Sequence, residues 1–79
     1  MERLLDYFIE QLNYNMEMRF AYKGIDYHLD YDNEKCYVSN ESTGEIYYEG
    51  TKKNILDEFV IDSITFREIL IRNLIDIII

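Results

Sequence analysis

The sequence predicts a small α+β domain: a helix, an antiparallel meander of three or four strands, then two helices packed on one face of the sheet. Two features of patterning and one of size carry this. Apolar residues recur at spacings of three and four near the start, alternate strictly through the middle, and return to helical spacing toward the end. A length of 79 residues admits one domain, residues 1–79, close to the lower size at which a single core suffices. Hydrophobic residues make up 48% of the chain, so it can bury a core and is not a disordered acidic tail.

The first element runs from Glu2 to about Asn13, with Leu5, Phe8, Ile9 and Leu12 on one face of a helix and Glu2, Arg3, Asp6 and Glu10 elsewhere on the wheel. Asn13 and Asn15 compete for backbone hydrogen bonds and end it. The period then becomes two. Met18, Phe20 and Tyr22 precede Lys23-Gly24, and Ile25, Tyr27, Leu29 and Tyr31 follow it. A two-residue turn at Lys23-Gly24 sets Tyr22 opposite Ile25, Phe20 opposite Tyr27 and Met18 opposite Leu29, with all six on one face. A second turn over Asp32 to Lys35 sets Tyr31 opposite Cys36 and Leu29 opposite Val38. After loop chemistry from Asn40 to Gly44, the segment Glu45 to Glu49 is a short last strand with Ile46 and Tyr48 inward.

A short helix is expected over Lys52 to Phe59, capped by Thr51, with Ile55, Leu56 and Phe59 on its inner face. Ile61-Asp62-Ser63-Ile64 is a tight connection, and Thr65-Phe66-Arg67-Glu68 has the form of a capping box that starts a last helix reaching the C-terminal end. On that helix Phe66, Leu70, Leu74 and Ile77 form one apolar stripe. Ile71, Ile75 and Ile78 form a second, about 100° round the wheel. One small sheet cannot cover both, so either the first helix packs on the second stripe or a second subunit does, giving a homodimer joined through Ile71, Ile75 and Ile78.

Charge narrows the function. Sixteen acidic residues stand against eight Lys and Arg, a formal charge of −8, which repels a nucleic-acid backbone and points to a basic protein partner instead. Cys36 is the sole cysteine, so an internal disulfide and a thiolate zinc cluster are excluded, which fits a reducing, cytoplasmic setting. Glu2, Asp6 and Glu10 interrupt any secretory pattern. Arg72, Asn73 and Asp76 break the apolar C-terminal stretch, which is too short for a membrane span.

The strand pairing places Asp26, His28, Asp30 and Asp32 on the solvent face of the sheet, at intervals of about 6.7 Å. Beside them Tyr37 is expected to pair with Tyr47, while Glu45 and Glu49 extend the negative field. Tyrosine among carboxylates suits recognition, because the ring gives rigid contact area and the hydroxyl a hydrogen bond. A plain solvated face, partly neutralised by Arg19 opposite His28, is the competing interpretation. Asp26, His28 and Asp30 are metal-ligand types, yet successive outward side chains of one strand diverge along a line. Asp30, Asp32, Glu34 and Glu41 mimic calcium-loop spacing, but Lys35 stands where that loop requires Gly. Asn40-Glu41-Ser42 is a glycosylation sequon in form, in a chain with no secretory pattern. No cofactor or catalytic residue is indicated: His28 and Cys36 fall on opposite faces, and neither a phosphate loop nor a nucleophile elbow is present.

The run Leu56-Asp57-Glu58-Phe59-Val60-Ile61-Asp62-Ser63-Ile64-Thr65-Phe66-Arg67-Glu68-Ile69 resembles a C-terminal pattern of short proteins from phages and mobile elements of Firmicutes. In size, charge and element order the whole chain is similar to small anti-CRISPR inhibitors, which occupy the DNA-binding surface of a Cas nuclease. The resemblance implies a phage-encoded DNA mimic acting in the host cytoplasm on a basic, nucleic-acid-binding enzyme such as a defence nuclease. Asp26, Asp30, Asp32, Tyr37, Glu45, Tyr47 and Glu49 are the expected binding residues of such an inhibitor, which itself catalyses nothing. The alternative is a small structural or regulatory subunit that assembles through its C-terminal helix and uses acid only for solubility.

Overall fold

The computed structural model describes residues 3–78 and shows a small α+β fold; Glu2, the expected first residue of the helix, lies outside them. In chain order the elements are α1 (Leu4–Asn13), β1 (Met18–Tyr22), β2 (Ile25–Asp32), β3 (Lys35–Asn40), β4 (Ile46–Thr51), α2 (Ile55–Glu58), β5 (Val60–Ile61), β6 (Ile64–Thr65), α3 (Phe66–Ile71) and β7 (Asp76–Ile78). The main sheet has five antiparallel strands in the order β4-β3-β2-β1-β7, where the sequence led us to expect three or four. The helices cover its apolar face.

Local chemistry accounts for the hairpins. Lys23 and Gly24 both take positive φ, 49° and 81°, the twist that a two-residue turn between right-twisted strands requires. The register follows as expected: Tyr22↔Ile25, Phe20↔Tyr27 and Met18↔Leu29, then Leu29↔Val38 and Tyr31↔Cys36. Asp62 and Ser63 turn in the same way, at φ 53° and 65°, and make β5 and β6 a minimal hairpin instead of a plain loop.

Burial converts this register into a core. Phe66 sits at its centre, with Phe8 of α1 at 5.3 Å edge-on, Phe20 of β1 at 5.4 Å and Phe59 at 5.3 Å between ring centroids. Leu29, Val38, Cys36, Ile55, Ile69 and Leu70 complete the fully enclosed set. Each of the aromatic pairs adds about 0.5–1.5 kcal/mol beyond the area it buries. Two caps anchor the helices. The α1 end folds back through Asn15, at φ 54°, with Asn15 and Met16 amides bonded to the Leu12 and Gln11 carbonyls. At the other helix, the Thr65 hydroxyl accepts from the Glu68 amide at 3.2 Å.

The second half departs from expectation in three places. The helix after β4 is one turn, Ile55–Glu58, because Thr51 caps the preceding turn, its hydroxyl accepting from the Asn54 amide at 3.2 Å. The last helix does not reach the C-terminal end. Asn73 adopts φ 58°, and the Asn73 and Leu74 amides close onto the Leu70 and Ile69 carbonyls, the same reversal that ends α1. The chain then lies antiparallel along β1, pairing Ala21↔Asp76, Phe20↔Ile77 and Arg19↔Ile78. β-branched isoleucines suit a pleated surface, and the strand satisfies backbone groups of β1 that a helix would leave unpaired.

The expected self-association stripe is taken apart by this strand. Ile71 ends α3 and is 56% exposed, Ile75 is 6% exposed within the core, and Ile78 lies opposite Arg19 on the other side of the sheet from Ile77. No continuous helical face joins them, so α1 has no such stripe to cover.

Candidate functional site

The face of the sheet opposite the helices is the candidate site. It is built from the alternate residues of each strand: Arg19 and Ala21 of β1, Asp26, His28, Asp30 and Asp32 of β2, Lys35, Tyr37 and Ser39 of β3, Ile46, Glu49 and Thr51 of β4 and Asp76 and Ile78 of β7. Asp26, Asp30, Asp32, Glu49 and Asp76 are all exposed, and Tyr37 is half-buried between Asp30 and Glu49, its partners on either side. Asp30 is held by its own strand, because its carboxylate accepts from the Tyr31 amide at 2.7 Å.

Two of the expected residues are elsewhere. A bulge in β4, where Tyr47 is the extra residue opposite the step from Val38 to Ser39, shifts the register: Tyr37 pairs with Glu49 and Val38 with Tyr48, but Ser39 pairs with Ile46. The expected Tyr37–Tyr47 pair is therefore absent. Tyr47 instead packs on Tyr27 of the core, with centroids 5.4 Å apart, and its hydroxyl accepts from the Asn40 side chain at 3.1 Å. Glu45 precedes β4 opposite Asn40, in phase with the inner face, its carbonyl accepting from the Asn40 amide at 2.8 Å. Ile46, expected inward, is 58% exposed for the same reason.

The fold also brings two further acids to the ring of His28. Glu17, just before β1, approaches His28 Nε2 at 3.5 Å, and Glu41, in the turn after β3, approaches His28 Nδ1 at 3.5 Å. The alternation of Glu17 with Met16 and Met18 and the place of Glu41 in the Asn40–Gly44 turn were visible in the sequence, but not that both would reach one imidazole. The two carboxylates address opposite ring nitrogens, so one ion could not be ligated by both through this histidine. His28 thus lies between the start of β1 and the turn after β3 on this face.

Where the cations sit decides the field. Lys23 is bound to Asp62 at 2.8 Å, Arg67 grips Asp57 through two bonds of 2.8 and 3.0 Å, and Lys52 contacts Asn15 at 2.6 Å and Glu34 at 4.0 Å. These pairs lie at the edges and on the helical side. The hydrogen bond and charge of Arg67 lower the Asp57 pKa, while Asp62 raises that of Lys23. Among the described residues no Lys or Arg forms an ion pair with Asp26, Asp30, Asp32, Glu49 or Asp76. Arg19 and Lys35 are the basic residues on that face, opposite His28 and Asp32 respectively.

The opposite side holds the other reactive type. Cys36 is fully buried, and burial pushes its thiol up to about 11, so at neutral pH it is a protonated core residue. An exposed, gently twisted array of carboxylates with one imidazole offers charge and contact area, not an enclosed cleft. No helix among the described residues is long and apolar enough to cross a membrane. No protein-family model, curated protein or solved structure matches this chain.

Proposed function

We propose that this chain is a non-catalytic acidic binding protein that docks its open sheet face on a basic, nucleic-acid-binding partner, taking the place of a phosphate backbone. The supporting observation is an excess of acid on one face: the exposed carboxylates of β2, β4 and β7 share it with Arg19 and Lys35, neither of which forms an ion pair with them among the described residues, while Lys23, Lys52 and Arg67 are held in contacts elsewhere. Charges left unpaired on a rigid sheet repel one another, a cost that a merely solvated surface avoids by mixing signs. A complementary partner recovers that cost on binding. The face keeps Asp26, Asp30, Asp32, Tyr37 and Glu49 of the expected residues, gains Asp76, Glu17 and Glu41, and leaves out Tyr47 and Glu45. On this reading the chain acts in the host cytoplasm as the anti-CRISPR inhibitors it resembles do, with a defence nuclease as the kind of partner that fits.

The test is affinity capture from a lysate of the source cells, using the natural chain and the combined Asp26→Asn, Asp30→Asn, Asp32→Asn variant. The substitutions keep shape and remove charge. A nucleic-acid-binding protein should be retained by the natural chain, be released by salt or by competing duplex DNA, and be lost with the variant. Equal retention by the variant at low salt overturns the proposal.

A further inference from the structure

We propose that the free edge of β4 receives an extended basic segment of the partner as an added strand, an inference that rests on the acidic-face function above and specifies its partner. Strand β4 ends the sheet order, so one of its sides has no neighbouring strand. The Lys52 amide donates to the Glu34 carbonyl at 3.4 Å, and the pairing Lys35↔Thr51 continues from it, which turns the backbone groups of Tyr48 and Gly50 toward β3. By the same alternation the amide and carbonyl of Glu49 point away from β3, toward the side of β4 that no strand of the sheet occupies.

Edges of this kind are ordinarily protected by proline, by lysine or by a covering element. Ile46-Tyr47-Tyr48-Glu49-Gly50-Thr51 contains neither proline nor lysine. Its one irregularity, the bulge, lies at the Ile46 end and leaves Glu49 to Thr51 regular. Charge selects the occupant. Glu49 stands on the open face, Glu58 lies on the inner side, bound by the Tyr48 hydroxyl at 2.9 Å, and Glu45 precedes the strand. The nearest cation along the chain, Lys52, is turned onto Asn15. A second copy would bring Glu49 toward an identical acidic edge, between two chains of charge −8 each. A cationic strand meets the opposite situation.

The inner side adds a second requirement. Tyr47, Tyr27, Phe59 and Val60, with Asp62 among them, line a shallow, mostly apolar cleft of about 270 Å³ beside the strand, and Val60 is 50% exposed. A strand added to β4 points alternate side chains to the two faces. One phase faces Glu49 and the open acidic face, and the other faces this cleft, with Glu58 already bound by Tyr48, so the segment that fits alternates Lys or Arg toward the open face with apolar residues toward the cleft.

The experiment uses the full chain labelled with nitrogen-15 and a capped heptapeptide, Lys-Val-Lys-Val-Lys-Val-Lys, with amide exchange followed residue by residue. The expected result is slowing of the Glu49 amide by at least about tenfold, with Tyr48 and Gly50, already bonded to β3, little changed. Glu49→Pro removes the outward amide together with the carboxylate and should abolish binding. Glu49→Gln, which keeps that amide, should weaken it a few-fold. A peptide of the same composition with its lysines in one block should bind more weakly. If the heptapeptide perturbs Asp26, Asp30 and Asp76 but leaves Glu49 exchange unchanged, edge addition is refuted while face binding survives. If the capture experiment succeeds and the heptapeptide does not bind, edge addition again falls and face binding again stands. A free chain that is a dimer with Glu49 already protected refutes the basic occupant in favour of a second copy.

Discussion

Replacing Ile75 by Ala tests the C-terminal strand, because strand and helix assign opposite roles to Ile75 and Ile71. On one long helix these residues are neighbours on a shared face and should respond alike. In the structure Ile75 is 6% exposed against the core and Ile71 is 56% exposed at the end of α3. Ile75→Ala removes three carbons, worth about 2.4 kcal/mol at ~0.8 kcal/mol each, plus a cavity contribution. The site lies just before an edge strand that can partly close over the gap, so the total should fall toward the lower end of the usual range, about 2–3 kcal/mol. For a chain of this length the whole stability is roughly 4–12 kcal/mol, so the loss is a large fraction of it. Urea unfolding followed by circular dichroism should show the midpoint falling by roughly 1–2 M with an unchanged slope. Ile71→Ala should stay within about 0.5 kcal/mol of the natural chain. Equal effects of the two substitutions would refute the strand and restore a helical C-terminal segment.

Thr65→Ala removes the hydroxyl that accepts from the Glu68 amide and should cost about 1 kcal/mol in the same assay, whereas His28→Ala, on the open face, should be nearly neutral; unfolding of the His28 variant would contradict the face described here. Gly50→Ala places a methyl group where the Tyr48 ring lies, so Tyr48 must leave Glu58, for a loss of about 1–3 kcal/mol and a changed Tyr48 ring environment by NMR; an unperturbed ring would show that the close approach is not required. Burial raises the phenol pKa of Tyr31, and burial with the Glu58 hydrogen bond raises that of Tyr48. A raised folded value means that the protonated phenol is favoured by folding, so this stability is complete below the ordinary tyrosine value near 10 and is lost as pH climbs beyond it. Absorbance titration at high pH should find that these two of the eight tyrosines ionise only as the chain unfolds, and full ionisation of all eight in the folded state would contradict their burial.

Much of the fold was legible because its signals are local. Strict alternation on both sides of Lys23-Gly24 leaves one register that puts Phe20, Tyr27, Leu29 and Val38 on the same face, and a slip of one residue would expose them all. The Thr65 cap is equally local, needing only a hydroxyl three residues before a free amide. From the same alternation came the acidic face around Asp26, Asp30, Asp32 and Tyr37. Ile75 to Ile78 carries no such signal, since an almost continuous apolar run satisfies helix and strand periods alike. Its state is decided by the unpaired edge of β1, which lies more than fifty residues away in the chain and exists only once the sheet has formed. The same holds for Tyr47 and Glu45. Strand alternation put both on the acidic face, but a bulge of one residue let Tyr47 pack at a tilt against Tyr27, and that gain depends on a core assembled from β2 and the β5–β6 hairpin. Contacts between neighbours in sequence were therefore readable in advance, while elements whose stability comes from distant surfaces took their form from tertiary packing.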